Sequence, residues 1–304
     1  MIQFAVMMLF TVVFAFLDPF FNESLPESTI AQGDTILFPL WLLLSALLAV
    51  LLVGRYIDRR RIADFGLHFS SSWWGHLGLG AVLAACLMTG IFLIEQATGW
   101  VSITETCVAK IDGWTFPASI ALALATFALA AITEELVARG YQIKNLAEGL
   151  NSRSLGPKGA IVLAVLCTSA LFGLLHAVNP SATTISTSGL ALAGIFYGVA
   201  YVLTGELALP IGFHIAWNFF ENSVFGFPVS GEHFGASFIC IQQGGSEIWT
   251  GGPFGPEAGL LGIGAHLVGI LAVAAWVRLR QGRVVLLVEL AEPNLQKQDL
   301  SLIA

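Results

Sequence analysis

The segment ASIALALATFALAAITEELVARG, residues 118–140, decides the fold of this chain. Its first 13 residues carry no charge, and Glu134, Glu135 and Arg139 then follow within six residues. An apolar helix of this length predicts a membrane span, because about 20 helical residues cross a bilayer core. Ionisable side chains are expensive at membrane depth and therefore indicate function. The segment predicts a membrane protein whose helices carry a polar site.

The composition extends this prediction to the whole chain. Of 304 residues, 56% are apolar and 11% are charged, whereas soluble domains carry about 25% charged residues. We predict an all-α integral membrane protein, a bundle of about eight transmembrane helices with the active site inside the bundle. The predicted spans are 2–21, 35–54, 74–97, 118–148, 159–178, 188–204, 207–226 and 258–279.

The distribution of Lys and Arg predicts the orientation. Basic residues concentrate at 55–61, 144–158 and 278–283, which lie on one side of the membrane if there are eight spans. Because basic loops stay in the cytoplasm, we expect cytoplasmic N- and C-termini. We expect a multi-pass protein of the plasma (inner) membrane of a prokaryote, in contact with the lipid bilayer. The net charge of −7, without a long basic block, predicts no nucleic-acid partner.

Polar groups within the predicted spans fall into three segments: TEELVARG at 133–140, FGLLHA at 172–177 and PIGFHIAWNFFEN at 210–222. In the first, Glu135 and Arg139 are four residues apart, the spacing of a helical ion pair. Glu134 lies about 100° further round the helix, so its carboxylate is left for other chemistry. In the second segment Phe172 and His176 are four residues apart, and in the third the polar residues His214, Asn218 and Glu221 follow one helix face.

Taken singly, each segment has a plain structural explanation: a solvated helix end, an interfacial histidine, or hydrogen bonds between helices. Taken together, they can build a hydrolytic site. A glutamate beside a histidine can deprotonate a water for attack on a carbonyl, while a histidine and an asparagine stabilise the oxyanion. The same glutamate and two histidines could instead bind zinc with a water position open. Both alternatives hydrolyse an acyl bond.

The three segments resemble the motifs of the CPBP family, the CAAX-protease and bacteriocin-processing intramembrane proteases, which include the Rce1-like prenyl-protein endopeptidases. EELVAR fits EExxxR, FGLLH fits FxxxH and HIAWN fits HxxxN, in the family's order and each on its own predicted span. Where the family typically has FRG, this chain has Ala138, Arg139 and Gly140, a packing change near the site. The stretch TGGPFGPEAG at 250–259 also resembles the region after HxxxN in some bacterial members.

The resemblance implies an intramembrane endopeptidase that cuts a membrane-associated protein or peptide, lipidated or not. Implied roles are water activation by Glu134 with His176, oxyanion binding by His214 and Asn218, and support from Glu135 and Arg139, with Phe172 and Glu221 as candidates for lining the site. If a divalent metal such as zinc is present, its ligands would be Glu134, His176 and His214. A metal-free mechanism is equally open. Alternatives are a non-proteolytic binding or immunity protein of the family and a proton-coupled transporter.

The predicted organisation has four parts. N-terminal spans occupy 1–117, the protease core 118–226, an outer glycine-rich loop 227–257, and the last span and cytoplasmic tail 258–304. Four scattered cysteines form no CxxC motif, and a disulfide between Cys107 and Cys240 in the outer loops is left open.

Depth in the membrane constrains these parts. If the fourth span ended near residue 137, Glu134 and His176 would lie about 20 Å apart in depth. We therefore predict that this helix stays embedded to about residue 148. His214 follows closely on the turn TGELALP at 204–210, so this turn must dip into the protein.

Overall fold

Long apolar helices make up most of the structure, a computed structural model that describes residues 27–109 and 113–292, with side chains from Leu40 onward. The helices are α1 Glu27–Tyr56, α2 Ser71–Ala97, α3 Phe116–Glu135, α4 Lys144–Leu150, α5 Gly156–Leu175, α6 Thr184–Thr204, α7 Ala208–Asn218 and α8 Leu260–Gln281, with a one-turn helix Glu247–Thr250 ahead of α8. Two π-helical segments, Leu136–Ile143 and Phe219–Val224, continue α3 and α7. Short 3₁₀ turns occupy Ile62–Phe65, His176–Val178, Gly252–Phe254, Pro256–Ala258 and Val288–Ala291.

Five candidate membrane spans lie in the described part of the chain: Ser71–Ala97, Phe116–Leu150, Gly156–Val178, Thr184–Thr204 and Leu260–Gln281. Their exposed side chains are largely apolar, such as Leu267, Val268 and Leu271 on α8, which suits contact with lipid. The chain is therefore an integral membrane protein built on helices. The predicted number of eight spans is not confirmed. Helix α1 contributes a shorter apolar stretch, Leu40–Tyr56, α7 is too short to count, and the predicted span 2–21 lies outside the described residues.

The prediction of a purely helical protein was wrong in one respect. Strands β1, Val101–Ala109, and β2, Ala236–Gln243, pair antiparallel, with Val101 opposite Gln243 and a bulge between Ile103 and Glu105. These strands lie in connections between helices, so their pairing joins segments more than a hundred residues apart. Cys107 lies on β1 and Cys240 on β2, and both are free thiols, so the structure contains no disulfide between them.

The helix that carries EELVARG does not end at the charged residues. Residues Phe116–Leu150 form one span of 35 residues, passing through the π segment Leu136–Ile143. Arg139 is only 1% exposed, and Ile143 beyond it is fully buried. The helix therefore continues past Arg139 to Leu150 within the protein, and its depth in the membrane stays a prediction.

Helix α7 lies at the centre of the protein. Nearly all residues of Ala208–Asn218 are buried, and the preceding Leu207 is fully buried too. The Leu207 N–H donates to the Gly66 carbonyl at 3.0 Å, which satisfies a backbone group that would otherwise be unpaired. The predicted entry of the 204–210 turn into the protein is therefore confirmed, and it sets the depth of His214.

Two glycines set the distance between α2 and α7. A Cβ atom on Gly80 would lie 2.2 Å from the Leu209 carbonyl oxygen, and one on Gly212 would lie 2.0 Å from the Leu77 oxygen. Small residues allow this close approach of helix backbones in a membrane. The crossing fixes α7, and with it the histidine two residues after Gly212.

Replacing Gly212 by alanine is expected to destabilise the protein by about 1–3 kcal/mol, because the added methyl group forces α2 and α7 apart. Thermal unfolding of the detergent-solubilised protein measures this loss. The matched control is Gly78→Ala, since a Cβ there meets no atom within 4 Å. Equal melting temperatures for the two variants would contradict the close crossing.

Candidate active site

A cavity of about 190 Å³ lies between α3, α5, α6, α7, α8 and the outer loop after α7. Four polar residues from the three sequence motifs line it: Glu134, His176, His214 and Asn218. Phe172 also lines it, whereas Glu135 and Arg139 lie behind its wall. Glu221 is fully buried and is not among the lining residues. The fold thus brings together groups that are separated by up to 84 positions in sequence.

Glu135 is the centre of a buried ionic network behind the cavity. Its Oε1 accepts from Arg139 Nη1 at 3.0 Å and from His214 Nδ1 at 3.0 Å. Glu135 is 0% exposed and Arg139 is 1% exposed, so neither charge is stabilised by water. The network ties α3 to α7 and fixes the orientation of the His214 ring.

The Arg139 guanidinium is enclosed on several sides. It lies 4.5 Å from the Phe172 ring centroid and 4.9 Å from that of Tyr197, and Nη2 donates to the Gly194 carbonyl at 3.3 Å. Aromatic faces stabilise a desolvated guanidinium. Tyr197 also stacks on His214, with centroids 4.9 Å apart and an interplanar angle of 21°. Sequence analysis missed Tyr197, which stands in α6 without any motif around it.

Glu134 has the opposite environment from its neighbour. Its side chain is 36% exposed, and among the described residues its buried Oε2 has no hydrogen-bond partner. The closest basic atom is His214 Nε2 at 3.9 Å, too long for a direct hydrogen bond. Glu134 is therefore a carboxylate with a free acceptor facing the cavity. Glu134 and Glu135 thus lie on opposite sides of the His214 ring, near Nε2 and bonded to Nδ1 respectively, and only Glu135 is paired with Arg139.

Hydrogen bonds fix the protonation of the two motif histidines. His176 Nδ1 is 2.8 Å from the Phe172 carbonyl, which only accepts, so this nitrogen carries the proton and Nε2 of the neutral ring is an acceptor. His214 Nδ1 donates to the Glu135 carboxylate. Its Nε2 can donate only when the ring is an imidazolium. The two histidines thus differ in what they offer a ligand.

Two further groups in the cavity were not predicted. His266 on α8 is 1% exposed and lines the cavity. Glu257 is 4% exposed and lines the cavity from the outer loop. It lies within TGGPFGPEAG, the stretch that resembles the region after HxxxN in some bacterial members of the family. Burial raises the pKa of the Glu257 carboxyl group, and the hydrogen bonds from the Ser230 hydroxyl and N–H oppose that rise. His266 stands in no pattern that marks it in the sequence, whereas Glu257 lies in a stretch whose resemblance assigned it no role.

An apolar pocket of about 230 Å³ adjoins the cavity and shares Glu134, Phe172 and His176 with it. Its remaining walls come from α1, the π segment after α3, and α5. Ala138, the residue that departs from the family's FRG pattern, lines this pocket. The small side chain therefore leaves space next to Glu134.

The donor set does not fit a metal ion as the structure arranges it. Among the described residues, no group of three His, Cys, Asp or Glu side chains is placed to hold one. The Nδ1 atoms of His214 and His176 are hydrogen-bonded to Glu135 and to a backbone carbonyl, so only the Nε2 atom of each ring could bind a metal, and these atoms do not converge with a third ligand. The structure therefore does not support a metal centre formed by the predicted ligands Glu134, His176 and His214. The mechanism is derived from the protein's side chains alone.

The fold and the cavity define a helical membrane protein with a polar site enclosed among its helices. Residues 116–220 match a family model described as type II CAAX prenyl endopeptidase Rce1-like. This segment of the chain is Rce1-like, which confirms the family inferred from the three motifs. No curated protein and no solved structure matches the chain. The family is one of proteases, so the match supports protease activity in general.

Proposed function

We propose that this protein is an intramembrane endopeptidase that hydrolyses a peptide bond of a membrane-associated protein or peptide. One observation carries the proposal: Glu134, His176, His214 and Asn218 line one cavity although they come from three different helices. The Rce1-like match over the same segment supports it. The proposal places the protease core at residues 118–226 and assigns the catalytic roles to these four residues.

Water activation is assigned to Glu134. Its unpartnered Oε2 can accept a proton from a water in the cavity, and His176 Nε2 can accept a hydrogen bond from the same water. The water oxygen then bonds to the scissile carbonyl carbon while its proton moves to Glu134. Because both groups are acceptors, they hold a water and leave the oxyanion to other donors.

Oxyanion stabilisation is assigned to His214 and Asn218, which lie one helical turn apart on α7. The Asn218 amide donates at any pH. His214 donates from Nε2 when it is protonated, a form that the Glu135 carboxylate at Nδ1 stabilises. The intermediate collapses as the C–N bond breaks and Glu134 returns its proton to the leaving amine. The products are a carboxylic acid and an amine, which become a carboxylate and an ammonium group once the acid's proton passes to the amine.

The adjoining apolar pocket supports a membrane-associated substrate. It is bounded by apolar side chains of α1 and α5 and reaches Glu134 and His176. A substrate segment with apolar side chains could contact these walls while its backbone reaches Glu134. A helical segment would have to unwind first, because the carbonyls of a helix are hydrogen-bonded within it.

The proposal is tested by comparing cells that express the wild-type protein with cells that express Glu134→Ala. Termini of membrane-associated proteins and peptides are quantified by mass spectrometry. We expect new termini only with the wild type, and these would identify the substrate. Identical profiles from two folded, membrane-inserted proteins would overturn the proposal in favour of a binding protein or a transporter.

A further inference from the structure

One wall of the cavity is built from the loop after α7, and hydrogen bonds hold it in place. Glu257 Oε1 accepts from the Ser230 N–H at 2.7 Å and from the Ser230 hydroxyl at 2.6 Å. The Ser230 carbonyl accepts from Asn179 Nδ2 at 3.2 Å, and the Gly231 N–H donates to the Phe254 carbonyl at 2.8 Å. These bonds fix the Glu257 carboxylate in place at the edge of the cavity.

The permanently charged side chains that line the cavity are acidic. Three carboxylates line it, from Glu134, Glu232 and Glu257, and none of its described lining residues is Lys or Arg. The nearest guanidinium, Arg139, is already engaged by Glu135 and two aromatic rings behind the wall. Within the described lining, three carboxylates therefore lie beside three histidines, and no permanently charged cation faces Glu257.

His266 points to a ligand that donates hydrogen bonds. Its Nδ1 is 2.9 Å from the Gly262 carbonyl and must carry the proton there. The Nε2 of the neutral ring is then an acceptor, and among the described residues it has no partner although the side chain is 1% exposed. A buried acceptor without a donor is costly, and a ligand with N–H groups would satisfy it.

We propose that the Glu257 side of this cavity binds a cationic N–H donor of the peptide substrate, an ammonium or guanidinium group. This inference rests on the proposed function and specifies its substrate class. The cation would come from a Lys or Arg side chain close to the scissile bond or from a free N-terminus. Glu257 supplies the countercharge, Glu232 lies at the exposed rim, and His266 accepts a further hydrogen bond.

A purely structural role for Glu257 makes a different prediction. If Glu257 only anchors the loop through Ser230, a glutamine there keeps the acceptor oxygen for both bonds and leaves substrate choice unchanged. If Glu257 binds a cation, the same glutamine removes the charge and alters substrate choice. Glu257→Gln therefore separates the two roles. Glu247→Gln is the matched control, because it removes an exposed carboxylate from the outer loop away from this cavity.

The experiment uses the purified full-length protein in detergent micelles and a peptide library prepared by digesting a proteome. Cleavages absent from a Glu134→Gln sample are counted, and the residues around each cut are compared with the library. We expect Lys or Arg to be enriched at one position near the cut, or free N-termini at a fixed distance from it. Acetylating the N-termini of half the library distinguishes these two sources.

One cleaved peptide is then used to measure how much its cationic group contributes to kcat/KM. Replacing its cationic group with an uncharged one is expected to lower kcat/KM of the wild type about tenfold or more. The ratio between the two peptides should shrink several-fold in Glu257→Gln and stay unchanged in Glu247→Gln. If Glu257→Gln does not fold, the comparison of the two peptides on the wild type decides alone.

Two outcomes overturn the inference without touching the proposed function: cleavage without any enrichment of cationic groups, or an unchanged peptide ratio in Glu257→Gln. A wild-type sample that matches Glu134→Gln, with no cleavage, contradicts the proposed function itself. A failure of the inference can therefore be told apart from a failure of the proposed function, because only the latter abolishes cleavage.

Discussion

Replacing Glu134 by glutamine is expected to lower kcat/KM by about 10²–10⁴-fold, the usual contribution of a general base. Glutamine has the same shape but cannot accept the proton of the attacking water. The change should leave stability unchanged or slightly higher, because Glu134 Oε2 has no partner among the described residues and its charge is adjacent to that of Glu135. Hydrolysis of a peptide identified by terminal proteomics, together with thermal unfolding, measures both quantities.

The matched control lies one residue further along the same helix. Glu135→Gln removes the same charge, yet Glu135 is fully buried and bonds both Arg139 and His214. We expect this variant to lose stability as well as activity, whereas Glu134→Gln loses activity alone. A Glu134→Gln protein that retains more than half of the wild-type activity would remove Glu134 from the mechanism.

The contrast between these two glutamates was available from the sequence. Helical spacing pairs Glu135 with Arg139 and turns Glu134 to another face, and the structure contains this division. The constraint that Glu134 and His176 must meet also predicted the long continuous helix through Arg139 and the buried turn before α7. Helical spacing and the depth of a residue along a membrane span both follow from a single sequence, so features that depend on them alone can be predicted.

Other parts of the site depend on contacts between distant segments, which no local pattern encodes. Tyr197 reaches Arg139 and His214 only because α6 packs against both the π segment after α3 and α7. Glu257 enters the cavity through the fold of an outer loop anchored at Ser230, and the pairing of β1 with β2 joins two connections far apart in sequence. The predicted count of eight spans is not confirmed for the same reason: α7 is as apolar as a span, but it is a short helix buried by its neighbours.

Replacing Arg139 by methionine is expected to destabilise the protein by about 3–5 kcal/mol, the cost of leaving a buried charge without its partner. The Glu135 carboxylate would keep only the donor from His214 Nδ1, in a place without water. The cation between the Phe172 and Tyr197 rings would also be lost. Equilibrium unfolding in mixed detergent micelles measures the change, and Arg153→Met, at an exposed loop position, should stay within about 0.5 kcal/mol of the wild type.

The double variant Glu135→Met with Arg139→Met tests the reason for this loss. Replacing a buried ion pair by apolar side chains leaves no charge uncompensated, so the double variant should recover much of the stability that Arg139→Met loses. Recovery would be incomplete, because His214 Nδ1 then loses its acceptor. Activity should not return, since the imidazolium that stabilises the oxyanion depends on the Glu135 carboxylate. Strictly additive losses in the double variant would show that the two residues do not act as a pair, and that the network around Glu135 does not orient His214.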